Sequence, residues 1–399
     1  MTGRPARTVR LLVVTLMAAV LQAAPARAAA QIPPDGVVTW GASADRVGEA
    51  VADRGYRMVV HTSVAGRDPR IRLSNAFGDR PVTFDSVYAG LQKEGPELVR
   101  RTNRRLTFDG STSVTVPPGA TAYSDPLPGK LSAGTDLVVS VHTPDAAGPL
   151  TGHWMAMQTS YATRGDHTAE EGGAHWTETV GSWFYLDAVS VRADAGAVVA
   201  LGDSITDGWQ STTDVNRRWP DYLARRLQKS PNAVKGVANE GISGNKVLAD
   251  GAGQSALNRL DRDVLSQPGV RTVFLFEGVN DIKAHTGVTA QDLIDGYREI
   301  LDRAHAAGTC VVGATVAPFK GWPEWDPAAE AVRQEVNAFI RDSGEFDAVT
   351  DFDRILRSPY DQERMLPALD GGDHIHPNDK GMQAMADAVD PRSLDCPDR

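Results

Sequence analysis

From residue 31 to about residue 193, apolar and polar positions alternate over short runs. "RMVVHT", "RIRLSNAF", "VTFDSVYAGL", "RLTFDG", "DLVVSVHT", "HWMAMQTSY" and "FYLDAVSVRA" are rich in Val, Thr, Phe and Tyr, the residues that suit a pleated, half-buried surface. Clusters of Gly, Pro, Asp and Asn between them read as turns. Helical periodicity is nearly absent and no internal repeat is visible. Many short strands at this spacing predict an all-β sandwich of jelly-roll type over residues 31–195.

After "ADAG" (193–196) the rhythm changes. Apolar strand candidates, "AVVALG", "AVKGVAN", "TVFLFEG", "TCVVGATV" and "FDAVTDF", alternate with amphipathic stretches such as "WPDYLARRLQ", "QDLIDGYREILDRAHAAG" and "AEAVRQEVNAFIRDSG". Strands that are almost wholly apolar and joined by helices imply a parallel sheet covered on both faces. Residues 196–399 are therefore expected to form a three-layer α/β/α domain of about five strands. In such sheets the working groups collect in loops beyond the carboxyl ends of the strands.

The first thirty residues stand apart from both patterns. Arg4, Arg7 and Arg10 precede an apolar stretch from Leu11 to Ala24 and the small residues of "PARAAA", the layout of a cleavable secretion signal. A secreted, extracellular protein is the expectation. The apolar stretch is short for a membrane span, and later apolar runs are shorter still. The formal charge of the whole chain is −10; the leader holds four Arg and no acid, so residues 31–399 carry −14. That sign offers no basic stripe and argues against nucleic acid or anionic lipid as a partner.

The candidate chemistry begins at the first strand of the second domain. In "AVVALGDSITDGW" the apolar run ends in Gly202, Asp203 and Ser204, which sets a hydroxyl at a strand tip. After the second strand, "NEGISGN" (239–245) offers a glycine turn able to point bare N–H groups into a cleft. The third strand ends in "EGVND", where Asn280 can aim a side-chain amide at the same place. "DGGDHIHPND" (370–379) supplies Asp373 and His376, three apart. Alone, each is an ordinary turn or cap. Together they are an ordered set at the loops of one sheet.

Gly202-Asp203-Ser204, the Gly244 turn, "GVND" and the Asp-x-x-His pair resemble, in order, the four blocks of the SGNH, or GDSL, hydrolase family. The resemblance covers Ala197 to Val389, about half of the chain. "RWPDYL", "RDVLSQPGV" and "GDHIHPNDKG" are similar to the secreted esterase branch with arylesterase-like and acetylxylan-esterase-like members. It implies an SGNH-type, flavodoxin-like fold. It further implies Ser204 as nucleophile and an oxyanion hole made by the N–H groups of Ser204 and Gly244 and the amide of Asn280.

The chemistry of ester cleavage asks for the same parts. A hydroxyl attacks an ester carbonyl only when a base removes its proton, which suits His376; Asp373 can fix the ring's tautomer and stabilise the imidazolium. "GDSIT" is not the G-x-S-x-G elbow, because Thr206 stands where the second glycine would be. His374, two residues from His376, competes for the base role, but Gly371 occupies the matching acid position. Asp203, Asp281 and Asn239 read as supports of their loops. No metal motif, dinucleotide loop or phosphate loop is present, so no metal or cofactor is expected.

The aromatics leave alternatives open. Trp322 and Trp325 in "PFKGWPEWD" overhang the expected cleft, where they either stack on a sugar or aryl ring or pack their own loop. Trp40, Trp154, Trp176 and Trp183 read as sandwich core. Cys310 and Cys396 are the only cysteines, and in an exported chain such a pair is expected to be bridged. The expectation is a secreted serine esterase acting on short-chain acyl esters of carbohydrates or aryl alcohols. A lipase or phospholipase, an acyltransferase of the same fold and a non-catalytic carbohydrate-binding protein are the alternatives.

Overall fold

The computed structural model describes residues 1–3, 36–145 and 148–395. Apart from its first three residues, the leader expected over residues 1–30 lies outside the described residues, as does Cys396. No helix among the described residues is long and apolar enough to cross a membrane.

The strands between Gly36 and Arg192 pair only antiparallel and form two main sheets. One runs in the order Gly36–Gly41, Leu186–Arg192, Gly66–Ser74, Thr121–Tyr123, and the other contains Ser160–Arg164, Arg54–His61, Asp136–Thr143 and Ser86–Glu94 as neighbours. The period-two pattern explains how they pack. Met58, Val60, Val139 and Val141 share one apolar cluster with Ile71, Leu73, Val189 and Val191 of the opposite sheet. The alternate residues Val59 and Val138 face the other way, under Leu98, Tyr161 and Trp176.

Three strand expectations are corrected. "VTFDSVYAGL" is two strands broken at Asp85, because Val82–Phe84 pairs with Val114–Val116 while Ser86–Glu94 joins the larger sheet. "RLTFDG" keeps only Arg105 in a strand, opposite Tyr88, and ends in a turn where Phe108 bridges to Ser111. "HWMAMQTSY" ends one strand at His153 and begins another at Ser160. The loop between them leaves the sheet because Asp214 of the second domain accepts hydrogen bonds from Gln158 Nε2 (2.9 Å) and Thr159 Oγ1 (2.7 Å). Trp154, expected in the core, is consequently 61% exposed.

The second region is the expected parallel sheet: β1 (Gly196–Gly202), β2 (Val234–Gly241), β3 (Val270–Phe276), β4 (Cys310–Ala314) and β5 (Ala348–Thr350). Their order is β2-β1-β3-β4-β5, all parallel. Chain progression reverses between β1 and β3, the switch point at which open α/β sheets place ligands. Its helices include α1 (Ser204–Asp207), α2 (Trp219–Leu227), α3 (Val279–Lys283), α4 (Ala290–Ala306), α5 (Pro327–Asp342) and α6 (Asp379–Ala388).

Both faces of this sheet are covered. Val198, Ala200, Phe274 and Val312 lie under Trp219 and Leu223 of α2 and Met382 and Met385 of α6. Val199, Leu201, Val273 and Val311 lie under Leu293 and Ile300 of α4 and Val336 and Ile340 of α5, in a cluster continuous with the sandwich core. Each such side chain contributes roughly 1.5–3 kcal/mol when fully buried. Helix starts follow local chemistry: Thr289 and Asp292 make a capping box for α4, Asp326 caps α5 ahead of its first-turn proline, and Asn378 caps α6.

Polar side chains close the junction between the two regions. Arg259, with no exposed surface, donates to Ser43 Oγ (2.7 Å), Glu240 O (2.6 Å) and Gly202 O (3.0 Å). One guanidinium thus ties the carboxyl ends of β1 and β2 to the sandwich.

Candidate active site

At the end of β1 the backbone is crowded. A Cβ on Gly202 would lie 2.3 Å from Thr206 Oγ1 and 2.6 Å from Phe276 O, so only glycine fits between α1 and β3. Asp203 stays extended and caps α1, its carboxylate accepting from Ile205 N–H at 2.9 Å. Burial raises the Asp203 pKa to about 7. Ser204 is then the first residue of the helix, a position whose N–H has no intrahelical acceptor. Its Oγ lies 2.7 Å from His376 Nε2.

The loop carrying His376 is closed by Gly371 N–H donating to His376 O at 2.8 Å, beside the bridge between Asp370 and Pro377. Inside it, Asp373 Oδ1 accepts from the His376 N–H (2.9 Å) and Ile375 N–H (3.2 Å), while Oδ2 meets His376 Nδ1 at 2.7 Å. Nδ1 therefore donates to the carboxylate and the Nε2 lone pair faces the serine hydroxyl. Burial lowers the His376 pKa below its ordinary value, against the opposing pull of Asp373. Burial works against the Asp373 charge too, but the hydrogen bonds from His376 outweigh it and hold that carboxyl below the usual range.

The glycine turn after β2 sits against this pair. Ile242 N–H donates to Gly202 O (3.0 Å) and Asn245 N–H to Ile242 O (3.0 Å), with Gly244 at φ +82° between them. The Gly244 N–H meets no acceptor among the described residues. Asn280, buried in α3, donates from Nδ2 to Asn245 O at 2.9 Å, which holds its amide on the same turn. Asn239 donates to Thr206 O at 2.7 Å, and Asp281 accepts from Val247 N–H and Leu248 N–H at 2.9 and 3.1 Å, so both brace their loops as expected.

Residues 200–384 match the GDSL-like Lipase/Acylhydrolase family. This part of the chain belongs to that family. The chain is therefore a GDSL-family esterase or acylhydrolase. Three solved structures illustrate the likeness. A GDSL-like lipase from Bacteroides thetaiotaomicron shares 21% identity over 48% of this chain and 84% of its own, with a TM-score of 0.39. The native aryl esterase of M. smegmatis shares 18% over 50% of this chain and 100% of its own, with a TM-score of 0.41. A carbohydrate acetylesterase family member from Sinorhizobium meliloti shares 17% over 49% of this chain and 96% of its own, with a TM-score of 0.41. No curated protein matches the chain in sequence.

The GDSL hydrolase carries site features that its sequence did not announce. His153 Nε2 lies 2.9 Å from Asp207 Oδ1 across the domain junction, with both side chains buried. The other Asp207 oxygen accepts from Ser243 N–H (2.9 Å) and Ser243 Oγ (2.8 Å), one residue before Gly244. Trp209 N–H donates to Ser204 O at 3.0 Å, and the indole, 46% exposed, stands 6.4 Å from the His376 ring. The signal for Trp209 was its place five residues after Ser204; nothing local pointed to His153.

His374 also has an acid partner after all. Its Nδ1 lies 2.7 Å from Asp370 Oδ2, at a spacing of four residues rather than three, and its side chain is half exposed. The serine hydroxyl nevertheless meets His376. Of the two overhanging tryptophans, Trp322 reaches the site, edge-on to His376 at 5.9 Å with Lys283 Nζ 5.3 Å over its ring. Trp325 is half-buried against the core under Lys320 Nζ, and no contact with Ser204, Asp373 or His376 is found among the described residues. In the sandwich, His167, Glu170 and His175 bring possible metal-ligand atoms within 4.8 Å of one another, with Glu170 hydrogen-bonded to both rings.

Proposed function

We propose that this GDSL hydrolase is a secreted serine esterase that cleaves short-chain acyl esters of carbohydrates or aryl alcohols. The observation that carries the catalytic reading is the unbroken line from Ser204 Oγ to His376 Nε2 and from His376 Nδ1 to Asp373 Oδ2, 2.7 Å at each step. His376 takes the hydroxyl proton as Ser204 Oγ attacks the ester carbonyl, and the N–H groups of Ser204 and Gly244 and the Asn280 amide receive the oxyanion. The imidazolium, steadied by Asp373, returns its proton to the departing alcohol. Water, deprotonated by His376, then releases the acid from acyl-Ser204.

The rim around His376 supports a polar, ring-bearing alcohol. Trp209 and Trp322 offer aromatic faces, while Gln210 and Lys283 add polar groups beside them. Export rests on the basic and apolar leader, and a Cys310–Cys396 bridge belongs to the same reading. In this reading residues 31–195 are the sandwich domain and residues 196–399 the catalytic domain.

The test is hydrolysis of aryl esters from acetate to palmitate, beside acetylated xylan and a feruloyl ester, by the wild type and Ser204→Ala. The acetate end of the series should be preferred, and Ser204→Ala should lose roughly four or more orders of magnitude of activity while remaining folded. Preference for palmitate would make the enzyme a lipase. Transfer to an added glycan in place of hydrolysis would make it an acyltransferase. Substantial activity in folded Ser204→Ala would remove the serine from the chemistry.

A further inference from the structure

Among the described residues of the sandwich the most exposed large aromatic is Trp154, in a loop that contacts the second region. This indole is not a loose surface ring. Its Nε1 donates to Arg46 O at 3.3 Å, so one edge is tethered while 61% of the residue stays open to solvent. Trp154 borders a cavity of about 320 Å³ that is also lined by Ile242, Ser243 and Ala252. Asp45 and Asp207 belong to the same lining. That volume lies at the lower end of small-molecule sites. A second cavity of about 290 Å³ also borders Trp154 and is lined by Met155, Met157, Gln158, Thr159 and Val180 among others.

The first cavity adjoins two segments of the active site. Ser243 precedes Gly244, and Asp207 ends the helix that Ser204 begins. A ligand in it therefore lies against the outer side of the turn that carries the oxyanion donor. We propose that Trp154 is the stacking platform of a sugar subsite, which holds a neighbouring unit of a glycan whose esterified unit sits at Ser204. This rests on the reading of the alcohol as a carbohydrate. The lining of the first cavity favours a sugar over an acyl chain: one tethered aromatic ring with His153, Ser243 and two acidic residues around it, and only Ile242 and Ala252 as aliphatic side chains. Aromatic faces with polar groups at their edges suit a ring that presents C–H bonds on its faces and hydroxyls on its rim.

The experiment compares wild type, Trp154→Ala and Trp154→Phe on 4-nitrophenyl acetate and on acetylated xylo-oligosaccharides of increasing length. For the longer oligosaccharides, Trp154→Ala should raise KM about tenfold with kcat unchanged, as expected for lost ground-state binding, and Trp154→Phe should restore most of it. Constants for 4-nitrophenyl acetate should stay within about twofold in all three proteins. An equal loss on both substrates would mean that Trp154 only props its loop, and unchanged KM on every oligosaccharide would remove the subsite; either overturns the proposal. If the wild type cleaves the aryl acetate but no acetylated glycan, the carbohydrate reading fails and the subsite falls with it. A glycan esterase indifferent to Trp154 loses the subsite alone.

Discussion

His153 of the sandwich and Asp207 of the catalytic domain meet Nε2 to Oδ1 at 2.9 Å, both buried. His153 Nδ1 also faces an acceptor, Ser43 O at 2.9 Å, so a protonated ring satisfies both sides. Burial alone would lower this pKa, but the Asp207 charge and the hydrogen bonds outweigh it and raise the value. Through its other oxygen Asp207 holds Ser243 and hence the Gly244 turn. The sandwich is therefore built into the support of the proposed oxyanion hole.

Replacing His153 should disturb that support. His153→Ala is expected to lower kcat on 4-nitrophenyl acetate about ten- to a hundredfold, with KM within about twofold, because a misplaced N–H is felt in the transition state. It also strands the Asp207 carboxylate, at a cost of about 3–5 kcal/mol if the charge stays buried and unpaired. Asp207→Asn, which keeps an acceptor for Ser243 N–H without the charge, is the folded companion and should retain more activity. The raised pKa gives the stability effect its sign: the contribution of His153 is complete below its unfolded value and fades as pH rises through the higher folded value. The melting-temperature gap between wild type and His153→Ala should accordingly narrow on going alkaline. Full turnover in a folded His153→Ala protein would show that the ion pair only joins the domains.

Asn280 has one amide hydrogen committed to Asn245 O, which leaves the other for substrate. Asn280→Ala should lower turnover by about a hundredfold or more with little change in ground-state binding, the pattern of a lost oxyanion donor. Steady-state kinetics on a short aryl ester decide it: a raised KM with turnover intact would place Asn280 in binding instead.

The pH profile follows from His376, which must be neutral to accept the serine proton. Since burial lowers its pKa, activity should climb through an acid limb below the ordinary histidine value near 6.5. His374→Ala should keep that limb and most of the activity, because its imidazole is paired with Asp370 while Ser204 meets His376. His376→Ala should lose about four orders of magnitude. A dead His374→Ala beside an active His376→Ala would reverse the assignment.

The parallel sheet and the Ser204, Asp373 and His376 cluster were legible because their signals are local. Each strand of the sheet is a bounded apolar run, and Asp373 and His376 sit within one turn. The errors arose where distant contacts outweighed local pattern. "HWMAMQTSY" reads as a strand, yet Asp214, over fifty residues away, accepts from Gln158 and Thr159 and draws the segment out as a loop. That displacement exposed Trp154, and the end of the preceding strand put His153 against Asp207. Nothing in the spacing of His153 could announce a partner in another domain. The acid of His374 was missed for a smaller reason: the loop bends so that Asp370, not the residue at position 371, faces the ring.

The last prediction concerns Cys310 and Cys396. Cys310 is the first residue of β4, buried at the amino edge of the sheet, and its register partner in β3 is Thr272. Thr272 Oγ1 donates to Leu394 O at 2.7 Å, and Asp395 Oδ1 accepts from Ala233 N–H and Val234 N–H at 2.9 and 3.1 Å. The chain leaving α6 is thus pinned along that same edge through Asp395, one residue before Cys396. An oxidising compartment makes a bond between the two sulfurs accessible. Closing a loop of about 85 residues would stabilise by up to about 4–5 kcal/mol in the chain-entropy view, and by less where the tail is already held, as it is here by Thr272 and the 233–234 backbone. Cys396→Ser should therefore lower the melting temperature modestly without altering turnover, because Cys310 sits at the amino edge of the sheet, away from the carboxyl edge where Ser204 and His376 meet. Thiol labelling of the unreduced, denatured protein checks the bond itself: no free thiol is expected, and two per chain would mean that the bridge does not form.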